Sequence, residues 1–395
     1  MKICFITNEL FSLGGAQRVL SVLANNLVQH YEVHIAWTSN NPTIDRSLYG
    51  LNPKIRLHNN RNLYSKKPIN KLLRGFNKIT GIFNKEIFES IFKEIAYPKK
   101  LQEEYINYIN NNNYDLVIGV GGYFSLILGI ISDKVKAKTV GWQHNSYEAY
   151  LKNRYRYYWN EDILFNKYIP KLDRYIVLNN HDKDMFKKEK NIECQVIYNP
   201  RSFNSKEKSK VNKKQFLAAG RFNHQKGFDL LIESFNTFSK TNDDWKLVIV
   251  GEGKEKIKLL EKINKYKLRD RIIVESFTNN IKEYFLNSSV LLLPSRWEGM
   301  PMIVLESLEM GVPIISYDIT AVKPLITNGK EGIIVKKFDK DAFAVAMEKM
   351  VSSFNLIEDM SKECRIKSRE FDVENIRDKW IELIDELMGV KQYYE

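Results

Sequence analysis

Residues 290–317 read VLLLPSRWEGMPMIVLESLEMGVPIISY, a stretch that contains a strand, a loop, a helix and a second strand. The runs VLLLP and VPIISY predict strands buried on both faces, because each is short, apolar and bounded by turn residues. A helix is predicted from Met302, since Pro301 suits the first helical turn, where its missing N–H costs nothing. Two strands joined by a helix favour a parallel sheet.

Two glutamates flank this loop–helix junction. Glu298 lies in the loop and Glu306 lies about one turn into the helix, so the two carboxylates do not share a helical face. We expect them to contact opposite ends of one ligand, with Gly299, Met300 and Pro301 between them. Carboxylates accept hydrogen bonds from vicinal hydroxyls such as those of sugars. The apolar neighbours of Glu306 argue against the alternative, an ordinary solvated helix residue.

Similar apolar runs recur along the 395 residues and fall into two series. The first is KICFIT, YEVHIAW, YDLVIGV, AKTVGW and RYIVLN; the second is KQFLAAG, WKLVIVG, RIIVES, VLLLP, VPIISY and GIIV. Because helical patterns alternate with these runs, each series predicts a doubly wound α/β domain. We place the domains at residues 1–198 and 215–371, with a polar linker at 199–214 and a last helix within 372–395.

The composition favours a globular protein of the cytoplasm. Hydrophobic residues make up 44% and aromatic residues 12% of the chain, which excludes a disordered protein. No apolar run approaches the roughly 20 residues that span a bilayer, and KICFIT suits a buried strand better than an export signal. Cys4, Cys194 and Cys364 show neither disulfide-framework nor metal-ligand spacing. A reducing compartment is therefore expected.

Two glycines follow the first strand of the first predicted domain, and two cations follow the first strand of the second. Ligands bind beyond the carboxyl ends of parallel strands, so two facing sheets predict a site in the cleft between them. Gly14 and Gly15 precede a helix whose N-terminus offers N–H groups to a phosphate. Arg221 and Lys226 lie in the loop GRFNHQKG, where a guanidinium fork and a mobile ammonium can grip a diphosphate. A plain turn and ordinary surface cations are the alternatives.

A histidine and a pair of aspartates complete the candidates. His144 lies just beyond the strand AKTVGW and is a candidate hydrogen-bond partner for a sugar hydroxyl, although a lone histidine is often structural. Asp182 and Asp184 have the spacing that metal-dependent sugar transferases use for a cation. They also open a predicted helix, where aspartate is favoured. We therefore predict no metal site and no cofactor.

The net charge of +13 is concentrated in residues 61–100, where ten Lys and Arg face three Glu, a net of +7. The same window carries Leu, Ile and Phe at helical intervals. A basic helix with an apolar stripe predicts peripheral contact with an anionic membrane. An ordinary solvated helix that covers a core is the alternative. Nucleic acid binding is not predicted, because no aromatic–basic recognition motif accompanies the charge.

These motifs together resemble the retaining glycosyltransferases of family 4, which have the GT-B fold. The resemblance runs nearly end to end, through GGAQRVLSVLANNL, GRFNHQKGFDLLIESF, LVIVGEGKEK and PSRWEGMPMIVLESLEMGVPIIS. Its most specific element is the pair Glu298 and Glu306. It implies two Rossmann-like domains with parallel sheets that face each other across a cleft. It also implies a last helix that crosses back to the first domain.

The resemblance implies a role for each candidate. Glu298 is expected to contact sugar hydroxyls near the reacting carbon, and Glu306 to hold the ribose of the nucleotide. Arg221 and Lys226 are expected to bind the diphosphate, which Gly15 faces from the other domain. A histidine near the sugar is also typical of the first domain in this family, and His144 matches it in a less well patterned segment.

The chemistry implied is glycosyl transfer from a nucleoside diphosphate sugar without a metal ion. Arg221, Lys226 and helix N-termini can stabilise the charge of the leaving diphosphate. The family mechanism is described as front-face substitution, in which the leaving phosphate helps to take the acceptor's proton. A covalent intermediate through Glu298 is the alternative, and it needs that carboxylate on the opposite face of the sugar.

The resemblance further implies a UDP-linked hexose or N-acetylhexosamine as the donor. For the acceptor we expect a glycan or a polyprenyl-diphosphate-linked sugar at the inner face of a bacterial membrane, in the synthesis of a capsule, lipopolysaccharide or teichoic-type polymer. A phosphorylase, which needs a cofactor lysine motif not found here, and an epimerase of the same fold are competing interpretations. A dehydrogenase needs G-x-G-x-x-G after the first strand, which the sequence lacks. A non-catalytic sugar-nucleotide sensor or scaffold stays open.

Overall fold

The computed structural model of the protein describes residues 1–12, 14–40, 43–63 and 68–390. The chain divides into two compact units, one formed by the residues up to Asn199 with the helix from Val373, the other by Pro200–Asp372. From residue 200 onward, the predicted linker is part of the second unit. Ser209 is buried there, and its hydroxyl donates to the carbonyl oxygen of Ser288 at 2.9 Å.

The first unit contains, among its described residues, a sheet of seven parallel strands in the order β3-β2-β1-β4-β5-β6-β7. The strands are β1 Lys2–Thr7, β2 Glu32–Trp37, β3 Arg56–Asn59, β4 Leu116–Val120, β5 Lys138–Trp142, β6 Arg174–Val177 and β7 Gln195–Val196. Five of them are the predicted apolar runs. The other two, β3 and β7, are the edge strands, where partly exposed residues suffice because only one neighbour covers them.

Helices connect these strands and pack through apolar stripes. They are α1 Gly15–Leu27, α2 Pro68–Thr80, α3 Glu89–Ala96, α4 Lys99–Asn111, α5 Gly122–Ile131, α6 Asp162–Tyr168 and α7 Asn180–Lys190. In α1 the buried residues Val19, Leu20, Leu23 and Leu27 recur at helical spacing. Over the described parts of both units, no helix combines the length and hydropathy that a membrane span requires.

The second unit has its own parallel sheet of six strands within the described residues, in the order β10-β9-β8-β11-β12-β13. The strands are β8 Gln215–Ala219, β9 Lys246–Val250, β10 Ile272–Glu275, β11 Val290–Leu293, β12 Ile314–Tyr317 and β13 Gly332–Val335. The helices are α8 Phe228–Phe238, α9 Lys256–Lys265, α10 Ile281–Leu286, α11 Met302–Met310, α12 Lys340–Val351 and α13 Phe354–Ser368. All six strands coincide with predicted runs, and the strand order reverses between β8 and β11.

The last helix, α14 Val373–Met388, packs on the first unit. Its Trp380 is fully buried, and the centroid of its ring lies 5.0 Å from that of Trp142 at the end of β5. A buried edge-to-face pair of this size removes a large apolar area from water. Residues 391–395 of the predicted terminal segment lie outside the described residues.

Candidate active site

Three loops of the second unit converge at one edge of its sheet. They follow β8, β9 and β11, which are adjacent parallel strands, so their carboxyl ends lie side by side. Strand order reverses between β8 and β11, and such a reversal is the place where open α/β sheets form a binding crevice. The loop after β8 carries Arg221 and Lys226, and the loop after β11 carries Glu298.

Glycines bring these loops into backbone contact. Gly227 has φ +67°, and a Cβ atom there would lie 2.1 Å from the carbonyl oxygen of Pro294. Gly251 has φ +157°, and a Cβ atom there would lie 2.0 Å from the carbonyl oxygen of Gly220. Any larger residue would therefore have to push the loops apart. The glycines that the sequence places after these strands are needed for close loop–loop packing.

An arginine joins the same two loops. Both terminal nitrogens of Arg296 donate to the carboxylate of Asp229, at 2.8 and 2.7 Å, and one also donates to the carbonyl oxygen of His224 at 2.7 Å. Burial raises the pKa of Asp229, but the hydrogen bonds and charge of Arg296 outweigh it and lower that pKa overall. The bidentate pair thus fixes the loop after β11 against the start of α8.

Glu298 lies at the centre of this arrangement and is buried. Its carboxylate accepts a hydrogen bond from the hydroxyl of Ser295 at 2.6 Å and lies 2.7 Å from the ammonium of Lys226. The side-chain amide of Gln225 donates to the carbonyl oxygen of Trp297 at 3.0 Å, and more weakly to Glu298. One predicted cation and one predicted carboxylate are thus in direct contact.

Glu306 lies in α11 and is also buried. The hydroxyl of Ser202 donates to its carboxylate at 2.6 Å. Pro301 occupies the N-cap position, one residue before the helix, with Met302 as the first helical residue. Gly299 lies in the loop, buried beside Glu298. The two glutamates thus lie on different elements, one in the loop and one in the helix.

Arg221 differs from the other predicted residues of this unit, because it is exposed. It lies directly after Gly220, in the loop that also carries Lys226. The adjacent Phe222 is fully buried and anchors the loop. Arg221 therefore projects from a fixed backbone, which suits a side chain that moves to meet a ligand.

The remaining candidates lie in the first unit, at the edge of its sheet where β1 and β5 end. Gly14 precedes α1, and its N–H donates to the hydroxyl of Tyr49 at 3.0 Å. Gly15 is the first residue of α1. His144 follows β5, with its ring centroid 4.3 Å from that of Trp142. Burial lowers the pKa of His144 to about 3, so its imidazole is neutral at physiological pH.

Asp182, the first of the two aspartates in α7, has a structural role. Asp182 is buried, and its carboxylate accepts hydrogen bonds from the backbone of Tyr147 and the side chain of Asn179, both at 3.0 Å. Burial raises the pKa of Asp182 to about 7, although these hydrogen bonds oppose the rise. Asp182 lies in the first turn of α7. No group of three metal-ligating side chains occurs in the described part of the chain.

Sequence reasoning missed four residues that shape the site. Ser202 contacts Glu306, Ser295 contacts Glu298, and Arg296 pairs with Asp229. Asp229 is 67 residues from Arg296 and Ser202 is 104 residues from Glu306, so spacing alone gave no signal for these two contacts. Ser295, in contrast, lies only three residues before Glu298. A polar residue directly after a buried strand at a switch point is the feature that would have pointed to Ser295.

Comparisons with known proteins point to glycosyltransferases. Residues 201–367, nearly all of the second unit, match the family model described as Glycosyl transferases group 1. An uncharacterized glycosyltransferase of Haemophilus influenzae is 25% identical over 385 residues, which cover 96% of this chain and 98% of the relative. A Campylobacter jejuni protein is 25% identical over 396 residues, covering 98% and 99%. It is named GalNAc-alpha-(1->4)-GalNAc-alpha-(1->3)-diNAcBac-PP-undecaprenol alpha-1,4-N-acetyl-D-galactosaminyltransferase.

A solved structure shows the same architecture. A mutant of S. aureus TarM, crystallised with Fondaparinux, alpha-GlcNAc-glycerol and UDP, matches with a TM-score of 0.78 at 16% identity, covering 97% of this chain and 99% of TarM. At that identity the likeness establishes the fold, and the predicted GT-B architecture of two parallel-sheet α/β domains is confirmed. The family model and the relatives support a glycosyltransferase.

Proposed function

We propose that this protein is a retaining, metal-independent glycosyltransferase of family 4. It transfers a hexose or N-acetylhexosamine from a UDP-sugar to a glycan or polyprenyl-diphosphate-linked acceptor. The reaction serves bacterial cell-surface polysaccharide synthesis on the cytoplasmic side of the membrane. The observation that carries this proposal is the contact of 2.7 Å between Lys226 and the buried carboxylate of Glu298, on loops fixed by glycine contacts.

The comparisons support the choice of donor and acceptor. The TarM structure contains UDP. The Campylobacter relative is named for transfer of an N-acetylgalactosaminyl group to a diphospho-undecaprenol-linked glycan. A second Campylobacter relative, 22% identical over 376 residues, is also named for a diphospho-undecaprenol acceptor. A lipid-linked acceptor and a uridine nucleotide are therefore the first to test.

In the proposed mechanism, Lys226 contacts groups on both sides of the glycosidic bond that breaks: Glu298 beside the sugar and the leaving diphosphate. An ammonium has three N–H groups, so it can keep its contact with Glu298 and still donate to the leaving diphosphate. The positive charge stabilises the oxygen on which negative charge develops as the glycosidic bond breaks. Glu298 accepts hydrogen bonds from the sugar hydroxyls and stabilises the developing positive charge of the ring.

Arg221 and the start of α11 supply the remaining positive potential. The exposed Arg221 side chain folds onto the diphosphate and donates through its planar fork. The N-terminus of α11 carries a partial positive charge from the aligned peptide dipoles. Glu306 accepts hydrogen bonds from the ribose hydroxyls. Fixed protein charges thus do the work that a divalent cation does in metal-dependent transferases.

The first unit contributes Gly14, Gly15 and His144 in this proposal. The amides at the start of α1 donate to the diphosphate, and the neutral imidazole of His144 hydrogen-bonds a sugar hydroxyl. A leaving phosphate oxygen takes the acceptor's proton on the face where the bond breaks. The anomeric configuration is therefore retained without a covalent enzyme intermediate.

The test is a screen of nucleotide sugars, read by mass spectrometry for hydrolysis and for transfer to lipid-linked acceptors. With the donor found, Lys226→Ala should lower kcat by about 10²-fold or more, the typical cost of losing one donor to a developing charge. Lys362→Ala is the matched control, because Lys362 forms its ion pair with Asp359 within α13 of the same unit, outside the three loops of the site. Glu306→Ala should raise the Kd for the nucleotide about tenfold, since hydrogen bonds to a charged group are lost.

Three results would contradict the proposal. A product of inverted anomeric configuration, detected by NMR, would refute retention. Tight binding of a nucleotide sugar with no turnover of any donor would favour the sensor. Full activity in both Lys226→Ala and Glu306→Ala would place the site elsewhere.

A further inference from the structure

Helix α2 is oriented with its polar side toward the protein. The side chain of Asn77 is buried, donates to the carbonyl oxygen of Asn160 at 2.8 Å and accepts from the N–H of Phe83 at 2.8 Å. On the same side, Arg74 forms an ion pair of 2.8 Å with Glu161, which is itself buried. Polar contacts therefore hold α2 on the first unit, and they fix which face turns outward.

The outward face is apolar. It consists of four large side chains with exposed fractions of 57% for Ile69, 70% for Leu72, 48% for Phe76 and 86% for Ile79. Their spacings of three, four and three residues align them in one stripe along the helix. A surface helix normally buries such a stripe against a core. Leu73 of α2 packs against the core of the first unit, so one side of the helix covers a core while these four side chains do not.

Three more large apolar side chains are exposed in the segment that follows α2. Ile82, Ile87 and Ile91 are also exposed. Phe83, just after α2, has its ring centroid 6.5 Å from that of Phe76 in α2 and 6.2 Å from that of the buried Phe92 in α3, which links the two helices. This set of Ile69, Leu72, Phe76, Ile79, Ile82, Ile87 and Ile91 is called here the apolar patch. An exposed apolar surface of this extent marks an interaction site.

Positive charge surrounds the apolar patch. Residues 68–100 contain seven Lys or Arg against three Glu. Exposed lysines include Lys71, Lys78 and Lys85. Among the glutamates, Glu89 is buried and neutralised by Lys167 at 2.5 Å. The surface thus presents apolar side chains and excess positive charge together.

We infer that the apolar patch is a docking surface for an anionic lipid bilayer. Isoleucine, leucine and phenylalanine enter the boundary between headgroups and acyl chains, while lysines at its margin meet anionic headgroups. Charge selects this occupant over the others. Two copies of a positively charged face repel each other, and a nucleic acid offers a polar, hydrated surface that does not suit seven large apolar side chains. Residues 64–67 of the predicted membrane window lie outside the described residues and are not needed here.

The experiment is cosedimentation of the full-length protein with vesicles at low salt. Vesicles of equal parts phosphatidylglycerol and phosphatidylcholine should bind the protein, and vesicles of phosphatidylcholine alone should bind it weakly. The combined variant Leu72→Gln, Phe76→Gln and Ile79→Gln should lose about tenfold or more of this partitioning, because three inserted side chains become polar. Replacing Lys71 and Lys85 by Gln should reduce binding to the anionic vesicles by about fivefold per charge.

The matched control replaces Ile257, Val345 and Ile366 by Gln. These residues are also large, apolar and exposed, but they lie in the second unit. This control variant should bind anionic vesicles as well as the wild type does. All variants should retain the wild-type melting temperature. The inference fails if the wild type does not sediment with anionic vesicles, or if the stripe variant binds as well as the control. It also fails if light scattering shows that the wild type is a dimer and that the variant with Leu72, Phe76 and Ile79 replaced is a monomer. Sugar transfer is not part of the readout, so the result stands apart from the proposed reaction.

Discussion

Replacing Gly227 by Ala is the most direct perturbation of the predicted site. A Cβ atom at this position would lie 2.1 Å from the carbonyl oxygen of Pro294, whereas real contacts of this kind do not fall below 3.0 Å. The loop with Lys226 and the loop with Glu298 must therefore separate by about 0.9 Å. Displacements of about 1 Å in catalytic groups reduce rates by about 10²-fold. We expect a loss of that size in kcat.

A matched substitution separates this displacement from backbone strain. Gly50 ends a short 3-10 helix with φ +60°, as Gly227 does with φ +67°, but a Cβ atom at Gly50 would meet nothing within 4 Å. Alanine at either position therefore has a left-handed backbone, which lowers the free energy of unfolding by a similar amount, about 1 kcal/mol. The assay is turnover of the donor found by screening, with thermal unfolding as a check that both variants fold. If a folded Gly227→Ala variant turns over as fast as Gly50→Ala, these loops do not hold the catalytic groups.

Three further predictions concern Arg296, His144 and the removal of metal ions. Arg296→Lys keeps the charge but loses the bidentate grip on Asp229, so unfolding free energy should fall by about 1–2 kcal/mol, and an unchanged melting temperature would contradict the role of this pair. His144 has a pKa of about 3 in the fold against about 6.5 when unfolded, so the unfolded chain takes up the extra proton and stability falls as the pH drops below about 6.5. The loss of unfolding free energy is at most about 2 kcal/mol at pH 5, and His144→Gln should remove it, as measured by the difference in unfolding free energy between pH 7 and pH 5. Excess EDTA should leave transfer unchanged, and activity that disappears with EDTA and returns with Mg²⁺ would refute the proposed use of Lys226 and Arg221.

Much of the fold was predictable because its signals are local. Buried parallel strands must be apolar throughout, and the eleven predicted runs are all strands of the two sheets. The two missed strands, Arg56–Asn59 and Gln195–Val196, are edge strands that carry no such requirement. Residues 200–214 group with the second unit although they are polar, because contacts with distant residues bury side chains such as Ser209.

Candidate residues of the site could be named for the same reason, since Glu298, Glu306, Arg221 and Lys226 all lie in short motifs after strands. The contacts that these residues make were not predictable from the sequence. Lys226 and Glu298 are 72 residues apart, and Arg296 and Asp229 are 67 residues apart. Sequence spacing says nothing about such pairs, because their proximity depends on which strands are neighbours in the sheet.

The sequence by itself determined the two α/β domains and the residue types at the strand ends, because strand burial and helix periodicity are properties of consecutive residues. Only the tertiary structure decided which of those residues touch, through the adjacency of β8 and β11. It also decided which face of α2 points outward. The stripe of Ile69, Leu72, Phe76 and Ile79 is exposed because Asn160 and Glu161, more than 80 residues away, bind the polar side of the helix.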